Sequence, residues 1–300
     1  MKNIILLLAS LALGGTAISS TGGGEECPVA KKVTTLNASW EAASKKALAL
    51  TPEAREEIGA KLAECAEKCP IGSRMGDTLS AVSDTLAFVA ASSEACAENC
   101  PLEKLDATSE ACVAGLELKT ARTQAIAGLS KLAGYASGAT CDGAGDCSAS
   151  CSDSGCASDC GVLAKSCPIR IASRLGGAKA SLAAARIEVQ SLTAAERSDI
   201  LASFATLAAT NDVVKLLPET VAALSEGLTA LNELHGKLGE WAQANPELMK
   251  DVPETMHMSF MMQVALVDEA RSVLQSLADT MAFMQTGAVK TAALENVSGR

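Results

Sequence analysis

Residues 50–58 read Leu-Thr-Pro-Glu-Ala-Arg-Glu-Glu-Ile, and residues 192–200 read Leu-Thr-Ala-Ala-Glu-Arg-Ser-Asp-Ile. Thr51 is typical of a helix N-cap, and the proline and acid after it are preferred in a first helical turn. Thr193 is followed three residues later by Glu196, which is the spacing of a capping box. Both stretches therefore predict the start of an α-helix, and their similarity is the first sign of an internal repeat.

The similarity extends to the segments that precede these two helix starts. Cys27-Pro28 and Cys167-Pro168 each lead through about one helix length to a capping stretch, at an offset of 140 to 142 residues. A second similarity relates the sequence of residues 84–89 to that of residues 279–284, at an offset of 195. Because the offsets differ, the halves are not a strict tandem copy. We predict two related halves, and the alternative is chance similarity in an alanine-rich chain.

The composition favours helices, since alanine and leucine are abundant and long runs of β-branched residues are absent. The sequence predicts helices over residues 29–50, 52–69, 73–99, 102–136, 168–192, 194–209, 218–244 and 254–294. The predicted fold class is all-α, an up-and-down helical bundle made of two related four-helix halves. These halves span residues 20–136 and 167–300, and a loop rich in cysteine, glycine and serine joins them over residues 137–166.

The N-terminus has the three parts of a secretory signal. Residues 1–3 are weakly basic, residues 4–13 are apolar, and residues 14–20 are small and polar enough for a signal peptidase. We predict that residues 1–19 are a cleaved signal peptide and that the protein is secreted or periplasmic. The apolar run is shorter than the roughly 18 residues of a membrane span, so we predict no membrane span in the mature chain.

All 12 cysteines lie within the first 167 residues, and eight of them form four Cys-x3-Cys pairs. At this spacing two sulfurs share one helix face, where they bond to sulfurs of another helix or hold a soft metal. An exported protein meets an oxidising environment, so disulfide bonds are the predicted use. The candidates are Cys27, the first pair Cys65/Cys69, the second pair Cys96/Cys100, Cys112, Cys141, the third pair Cys147/Cys151, the fourth pair Cys156/Cys160, and Cys167.

The length of the third predicted helix limits which cysteines can bond. Its roughly 26 residues, at about 1.5 Å each, separate the first pair from the second pair by about 40 Å. We therefore expect Cys27 to bond to one member of the first pair, and Cys112 to one member of the second. At each end of the third helix, one of three thiols is left without a disulfide partner. The five cysteines of the loop and Cys167 make an even six, so all of these can pair.

The twin Cys-x3-Cys arrangement, over residues 65–160, resembles two kinds of known protein. It is similar to helical-hairpin proteins in which two disulfides cross-bridge two helices, although their spacers are shorter. It also resembles secreted bacterial copper-storage bundles, in which such pairs line a four-helix core and bind Cu(I). Thiols in those bundles occur on all the helices, whereas residues 168–300 of this chain have none. This resemblance implies an alternative in which Cys65, Cys69, Cys96 and Cys100 bind copper or zinc.

A cluster of methionines near one histidine is a second candidate for soft-metal chemistry. Met256, His257, Met258 and Met262 lie within seven residues, and thioethers suit Cu(I). The alternative is core packing, because Met258 and Met262 share one face of a predicted helix and methionine fills irregular gaps. We favour packing, and we predict no cofactor.

The composition argues against several classes of function. The net charge is −10, which makes the chain a poor ligand for nucleic acid. The chain has two histidines and no zinc-protease, haem-attachment, di-iron or serine-hydrolase motif. We predict a non-enzyme with a structural or protein-binding role, acting through an unknown protein partner or self-association. Soft-metal binding is the alternative.

Overall fold

The structure, a computed structural model, describes residues 28–98, 109–137, 167–250 and 252–286. These residues form nine α-helices and contain no β-strand, which confirms the predicted all-α class. The helices are α1 (Pro28–Leu48), α2 (Pro52–Lys68), α3 (Gly72–Glu98), α4 (Glu110–Ser137), α5 (Pro168–Ser191), α6 (Ala194–Thr210), α7 (Asp212–Ala244), α8 (Pro246–Met249) and α9 (Glu254–Thr286).

The two capping stretches begin helices as the sequence predicts. The hydroxyl of Thr51 accepts a 3.3 Å hydrogen bond from the amide of Ala54 at the start of α2. At the start of α6, Thr193 and Glu196 form a complete capping box, in which each side chain accepts from the other residue's backbone amide. These bonds satisfy amides that have no partner within the helix.

Helices α3, α4, α7 and α9 form a four-helix ring, in which α3 contacts α4, α4 contacts α7, α7 contacts α9 and α9 contacts α3. Two further helices fill grooves on opposite sides of this ring. Helix α1 packs on α4 and α7, whereas α5 packs on α3 and α9. The main hydrophobic core therefore takes side chains from both halves of the chain. Because the two halves share this core, they do not form two separate bundles. A relation between the halves therefore concerns how the chain arose.

Helices α2 and α6 contact each other and cover one end of the ring. Helix α2 also contacts α3, and α6 also contacts α7 and α9. Each buries a single residue fully, which is Gly59 in α2 and Leu207 in α6. This end of the molecule is therefore held by fewer buried side chains than the ring itself.

Positions that lie 142 residues apart have similar environments. The side chain of Arg55 donates to the carbonyl of Leu50, and that of Arg197 donates to the carbonyl of Leu192. Each of the following pairs is buried at both positions: Trp40/Leu182, Ala43/Ala185, Ala47/Val189, Ile71/Val213, Thr78/Thr220, Leu79/Val221, Val82/Leu224, Leu86/Leu228 and Val89/Leu231. The second similarity, between residues 84–89 and 279–284, does not share this offset.

Helix α7 begins earlier than its proline suggests. The sequence predicts a start at Pro218, but α7 begins at Asp212, and the side chain of Asn211 accepts from the amides of Val213 and Val214. Pro218 lies inside the helix, where it is tolerated at the cost of one backbone hydrogen bond.

No single helix among the described residues is long and apolar enough to cross a membrane. Helices α6 and α7 meet the length and composition test only as a pair, and they are bent by 114° where they join.

Candidate functional site

An apolar cavity of about 200 Å³ lies between the α2–α6 cover and the end of the ring, and it opens to solvent. The first turns of α3 and α7 and the last turns of α4 and α9 form its floor. The side chains and glycines around it are Trp40, Leu62, Cys65, Ala66, Cys69, Ile71, Gly72, Met75, Gly76, Leu79, Ala136, Ile200, Leu201, Phe204, Val213, Val214, Leu217, Pro218, Met281, Met284 and Gln285.

Helical spacing directs these side chains toward the cavity. On α2 and its C-cap residue, lining residues recur three and four positions apart, from Leu62 through Cys65 to Cys69. On α3, Met75 and Leu79 are four positions apart and so share one face. The pattern of one apolar stripe per helix is visible in the sequence, but the meeting of stripes from distant helices is not.

The lining offers almost no polar chemistry. No charged side chain lines the cavity among the described residues, and Gln285 carries the one side-chain amide in the lining. The indole N–H of Trp40 is already used, since it donates a 2.7 Å hydrogen bond to the hydroxyl of Thr220. A ligand that buried a polar group away from Gln285 would leave that group without a partner, at a cost of about 1–3 kcal/mol.

The first cysteine pair lies in the wall of this cavity. Cys65 and Cys69 are both half-buried, and both thiols are free. Burial raises the pKa of the Cys65 thiol above its usual range, and the nearby Glu64 carboxylate and Cys69 raise it further. Cys65 is therefore a neutral thiol at physiological pH, which makes it a poor nucleophile.

The structure describes the side chains of only four of the predicted disulfide candidates. Besides the first pair these are Cys112, buried in α4, and Cys167, at the N-cap of α5, and all four are free. The side chains of Cys27, Cys96, Cys100, Cys141, Cys147, Cys151, Cys156 and Cys160 lie outside the described residues. Helix α3 is continuous from Gly72 to Glu98, so the predicted separation of its two ends is confirmed, whereas every predicted disulfide stays a prediction.

The methionine and histidine cluster lies at the start of α9, away from the cavity. The side chains of Met258 and Met262 are 55% and 38% exposed, so they do not pack in the core. Met256 is half-buried and His257 is exposed. Among the described residues, no three side chains of the types His, Cys, Asp and Glu come together as a metal site.

A polar layer crosses the ring, buried except for the half-buried Ser93, and was not predicted from the sequence. It takes one side chain from each helix of the ring, namely Ser93, Arg122, His235 and Gln263. The amide oxygen of Gln263 accepts from the Arg122 guanidinium and, at 3.3 Å, from the Ser93 hydroxyl. The ring of Phe260 lies edge-on to His235, with 5.5 Å between ring centroids, and 5.6 Å from the Arg122 guanidinium carbon.

His235 has no hydrogen-bond partner for either ring nitrogen within the described part of the chain. It is 2% exposed. Burial, and to a smaller extent the positive charge of Arg122, lower the pKa of His235 to about 3. The imidazole is therefore neutral at physiological pH.

A second, polar pocket lies on the surface between α3 and α5. It contains Arg74 and Arg174, but each guanidinium is already paired. Arg74 binds Glu188 at 2.6 Å, and Arg174 binds Asp84. These ion pairs join α3 to α5, so this pocket is better explained by packing of the two helices than by anion binding.

Comparison of the chain with protein-family models, with curated proteins and with solved structures gives no match. The site itself is therefore the basis for a functional proposal.

Proposed function

We propose that this protein is an exported, non-enzymatic helical protein that binds a neutral apolar molecule in the cavity beneath α2 and α6. The observation that supports this proposal is the lining of the cavity, which is almost wholly hydrocarbon and sulfur. Ligand sites are mostly apolar, with few polar groups to fix orientation. A charged or strongly hydrogen-bonding ligand would find the amide of Gln285 as its one polar amide partner among the described lining residues.

The size of the cavity fits a small ring system or the end of a hydrocarbon chain. An engineered cavity of about 150 Å³ in another protein holds benzene, and this cavity is somewhat larger. A ligand that hides about 300 Å² of apolar surface gains roughly 7 kcal/mol before the cost of association. Since 7 kcal/mol alone corresponds to a dissociation constant of about 10 μM, we expect dissociation constants weaker than about 10 μM.

A cavity-filling variant tests this proposal. A methyl group placed on Gly76 would contact no atom within 4 Å, so Gly76→Leu can enter the cavity without a backbone clash. Gly176 has equally open surroundings on α5, away from the cavity, and Gly176→Leu is the matched control. Both variants remove a helical glycine, so their effects on helix propensity are alike.

The probe is N-phenyl-1-naphthylamine, a neutral dye whose fluorescence rises in apolar surroundings. We expect saturable binding to the full-length mature protein and to Gly176→Leu, and at least tenfold weaker binding to Gly76→Leu, a difference of about 1.4 kcal/mol. Equal binding to the two variants, or no saturable binding to either, would overturn the proposal. Circular dichroism and the unfolding midpoint establish that both variants are folded.

Disulfide bonds among the 12 cysteines are part of the same proposal. An exported chain with 12 cysteines is typical of a disulfide-stabilised protein, and the segment between α4 and α5 contains six of them. Intact mass of the exported protein, alkylated with and without prior reduction, counts the oxidised cysteines. Eight or more oxidised cysteines support the disulfide bonds, and a fully alkylated chain without reduction contradicts them.

An internal duplication is the proposed origin of the fold. What supports it is the single offset of 142 residues that relates the capping threonines, the two arginine-to-carbonyl bonds and the buried positions of α1, α3, α5 and α7. The C-caps Cys69 and Asn211 also have this offset, and both adopt extended backbone angles. Under this relation α2 corresponds to α6, so the cavity lies where the two copies meet. A protein partner or self-association is a compatible additional role, for which the exposed methionines of α9 are candidates.

A further inference from the structure

Exposed large apolar side chains are concentrated on α5 and α9, two helices that pack side by side. Within the described part of the chain, five of the six such side chains lie there, namely Ile169, Ile187, Met258, Met261 and Met262. The two isoleucines are 80% and 68% exposed. We propose that this face is the interface of a homodimer, in which α5 packs antiparallel against α5 of a second copy. The dimer goes beyond ligand binding in the cavity and does not depend on it.

The outer side of α5 has an uncharged seam of exposed residues. They recur at alternating intervals of four and three positions, which is the spacing of a coiled-coil contact. The seam consists of Ile169, Ser173, Gly176, Ala180, Ala183 and Ile187. Because its middle residues are small, a second helix can approach until the axes are about 8 Å apart, the short end of the usual range.

The symmetry of the seam favours a second copy of this chain as the partner. The two isoleucines lie nine residues on either side of position 178, and the four small residues lie five and two residues on either side. In an antiparallel pair with its twofold axis at this position, Ile169 of each copy faces Ile187 of the other. Small residues likewise face small residues. A twofold interface requires such a self-complementary surface.

Two methionines of α9 extend this surface at its Ile169 end. Met258 and Met262 share one face of α9 with Glu269. The Glu269 carboxylate binds Lys179 of α5 at 3.0 Å, so this face of α9 lies toward α5. The methionines and the seam therefore belong to one surface.

Helices α5 and α9 run in the same direction, so their starts are level. Arg74, in the first turn of α3, binds Glu188 near the end of α5. The same turn forms part of the cavity floor, together with Met281 near the end of α9. The level of Ile169 is therefore also the level of the two methionines. In the dimer, Ile187 of the second copy packs on this group of apolar side chains.

The area of this surface is sufficient for a weak dimer. From the exposed fractions, the seam, Met258 and Met262 would together bury about 600 Å² per copy. The total of about 1,200 Å² is at the lower end of the range for specific interfaces. Lys179 lies beside the middle of the seam, but its charge is already paired with Glu269. We therefore expect a dissociation constant of about 1–100 μM.

Sedimentation equilibrium of the full-length mature protein, over a range of concentrations, measures this constant. Ile169→Lys and Ile187→Glu change exposed positions, so both variants should fold, and the unfolding midpoint establishes this. We expect each to weaken dimerisation at least tenfold, because each places a charge in the interface. Val113→Glu, at the one exposed large apolar position outside α5 and α9 in the described chain, is the matched control and should leave the constant unchanged.

A mixture of the two variants tests the antiparallel arrangement. In the mixed dimer the introduced lysine of one chain faces the introduced glutamate of the other, and the two remaining isoleucines face each other. We expect the mixture to dimerise at least fivefold more tightly than either variant alone. In a parallel pair the introduced charges would lie at opposite ends, so a mixture no tighter than its components would overturn the proposal.

Three other outcomes would also overturn it. A monomer at about 500 μM would leave this surface to residues 138–166 of the same chain or to another protein. A dimer that neither variant weakens would use another surface, and a dimer that persists in denaturing, non-reducing conditions would be covalent. Gly76→Leu, which fills the cavity, should dimerise like the unsubstituted protein, so failure here is separate from failure of the dye experiment.

Discussion

The indole Nε1 of Trp40 donates a 2.7 Å hydrogen bond to the hydroxyl of Thr220, which lies 180 residues further along the chain. Both residues are fully buried. The bond joins α1 to α7, and the Trp40 ring also stacks on Tyr135 of α4 at a centroid distance of 6.3 Å. One indole therefore connects a peripheral helix to two helices of the ring.

Loss of the Thr220 hydroxyl should destabilise the protein because it leaves a buried N–H without an acceptor. We expect Thr220→Val to lower the free energy of unfolding by about 1–3 kcal/mol. Thr78→Val is the matched control, since Thr78 is equally buried and its hydroxyl donates to the carbonyl of Arg74. Urea denaturation compares the two variants. Equal losses would mean that the indole bond contributes nothing measurable.

His235 should make the protein less stable as the solution becomes acidic. Its pKa is about 3 in the folded chain, against an ordinary value of 6.5, so the unfolded chain binds the proton first. Stability is therefore complete above pH 6.5 and is lost as the pH falls toward 3, by about 2 kcal/mol between pH 7.5 and pH 5. Exposed carboxylates with a lowered pKa, such as Glu196, respond only at lower pH.

Substitution of each of the two histidines shows whether the pH dependence of stability comes from His235. His235→Leu should flatten the stability curve between pH 7.5 and pH 5, whereas His257→Gln, at an exposed position, should leave it unchanged. The measurement is the urea midpoint at half-unit steps of pH. A slope that persists in His235→Leu would assign the pH dependence to another group.

Gly227 is required by the close approach of α7 and α4. A methyl group at this position would lie 2.3 Å from the Cδ2 atom of Leu129, which is fully buried and has little room to move. We expect Gly227→Ala to cost about 1–3 kcal/mol of unfolding free energy. Gly236→Ala, on the same helix with open surroundings, should stabilise the protein by up to about 1 kcal/mol. A neutral effect of Gly227→Ala would show that the two helices can separate at low cost.

Helices α2 and α6 should open more readily than the ring. Each has one fully buried residue, and local opening requires little loss of packing when few side chains are buried. Hydrogen exchange followed by mass spectrometry should show faster exchange in both helices than in the centres of α3 and α7. Bound N-phenyl-1-naphthylamine should slow exchange in α2 and α6 and leave the ring unchanged. Protection equal to that of the ring would exclude entry of a ligand by this route.

The local parts of the fold were predictable, and the long-range parts were not. Thr51 and Thr193 mark helix starts because a cap is decided by a few adjacent residues. Pro218 misled the prediction because the bonds from Asn211 fix the start of α7 six residues earlier. These outcomes depend on hydrogen bonds over short stretches of sequence.

The cavity and the polar layer depend instead on which helices meet. Spacing predicts that Cys65 and Cys69 share a face, but it does not predict that Met281 lies in the same cavity. In the same way, Arg122 and Gln263 stand in different helices 141 residues apart, and neither position has a local signal. The exposure of Met258 was missed because an apolar helix face does not reveal whether another helix covers it.

Helices α1 and α5 each pack across the boundary between the two halves. This packing decides whether the chain can be cut into fragments that fold alone. Helix α1 packs on α7 as well as on α4, and α5 packs on α3 as well as on α9, so each half supplies a helix that packs against both halves of the ring. Cleavage of the backbone between Ser137 and Cys167 would give two fragments that each lack part of the surface they must bury. Such fragments should complement each other when mixed, and neither should fold alone, so the two halves of the gene would be functional only when expressed together.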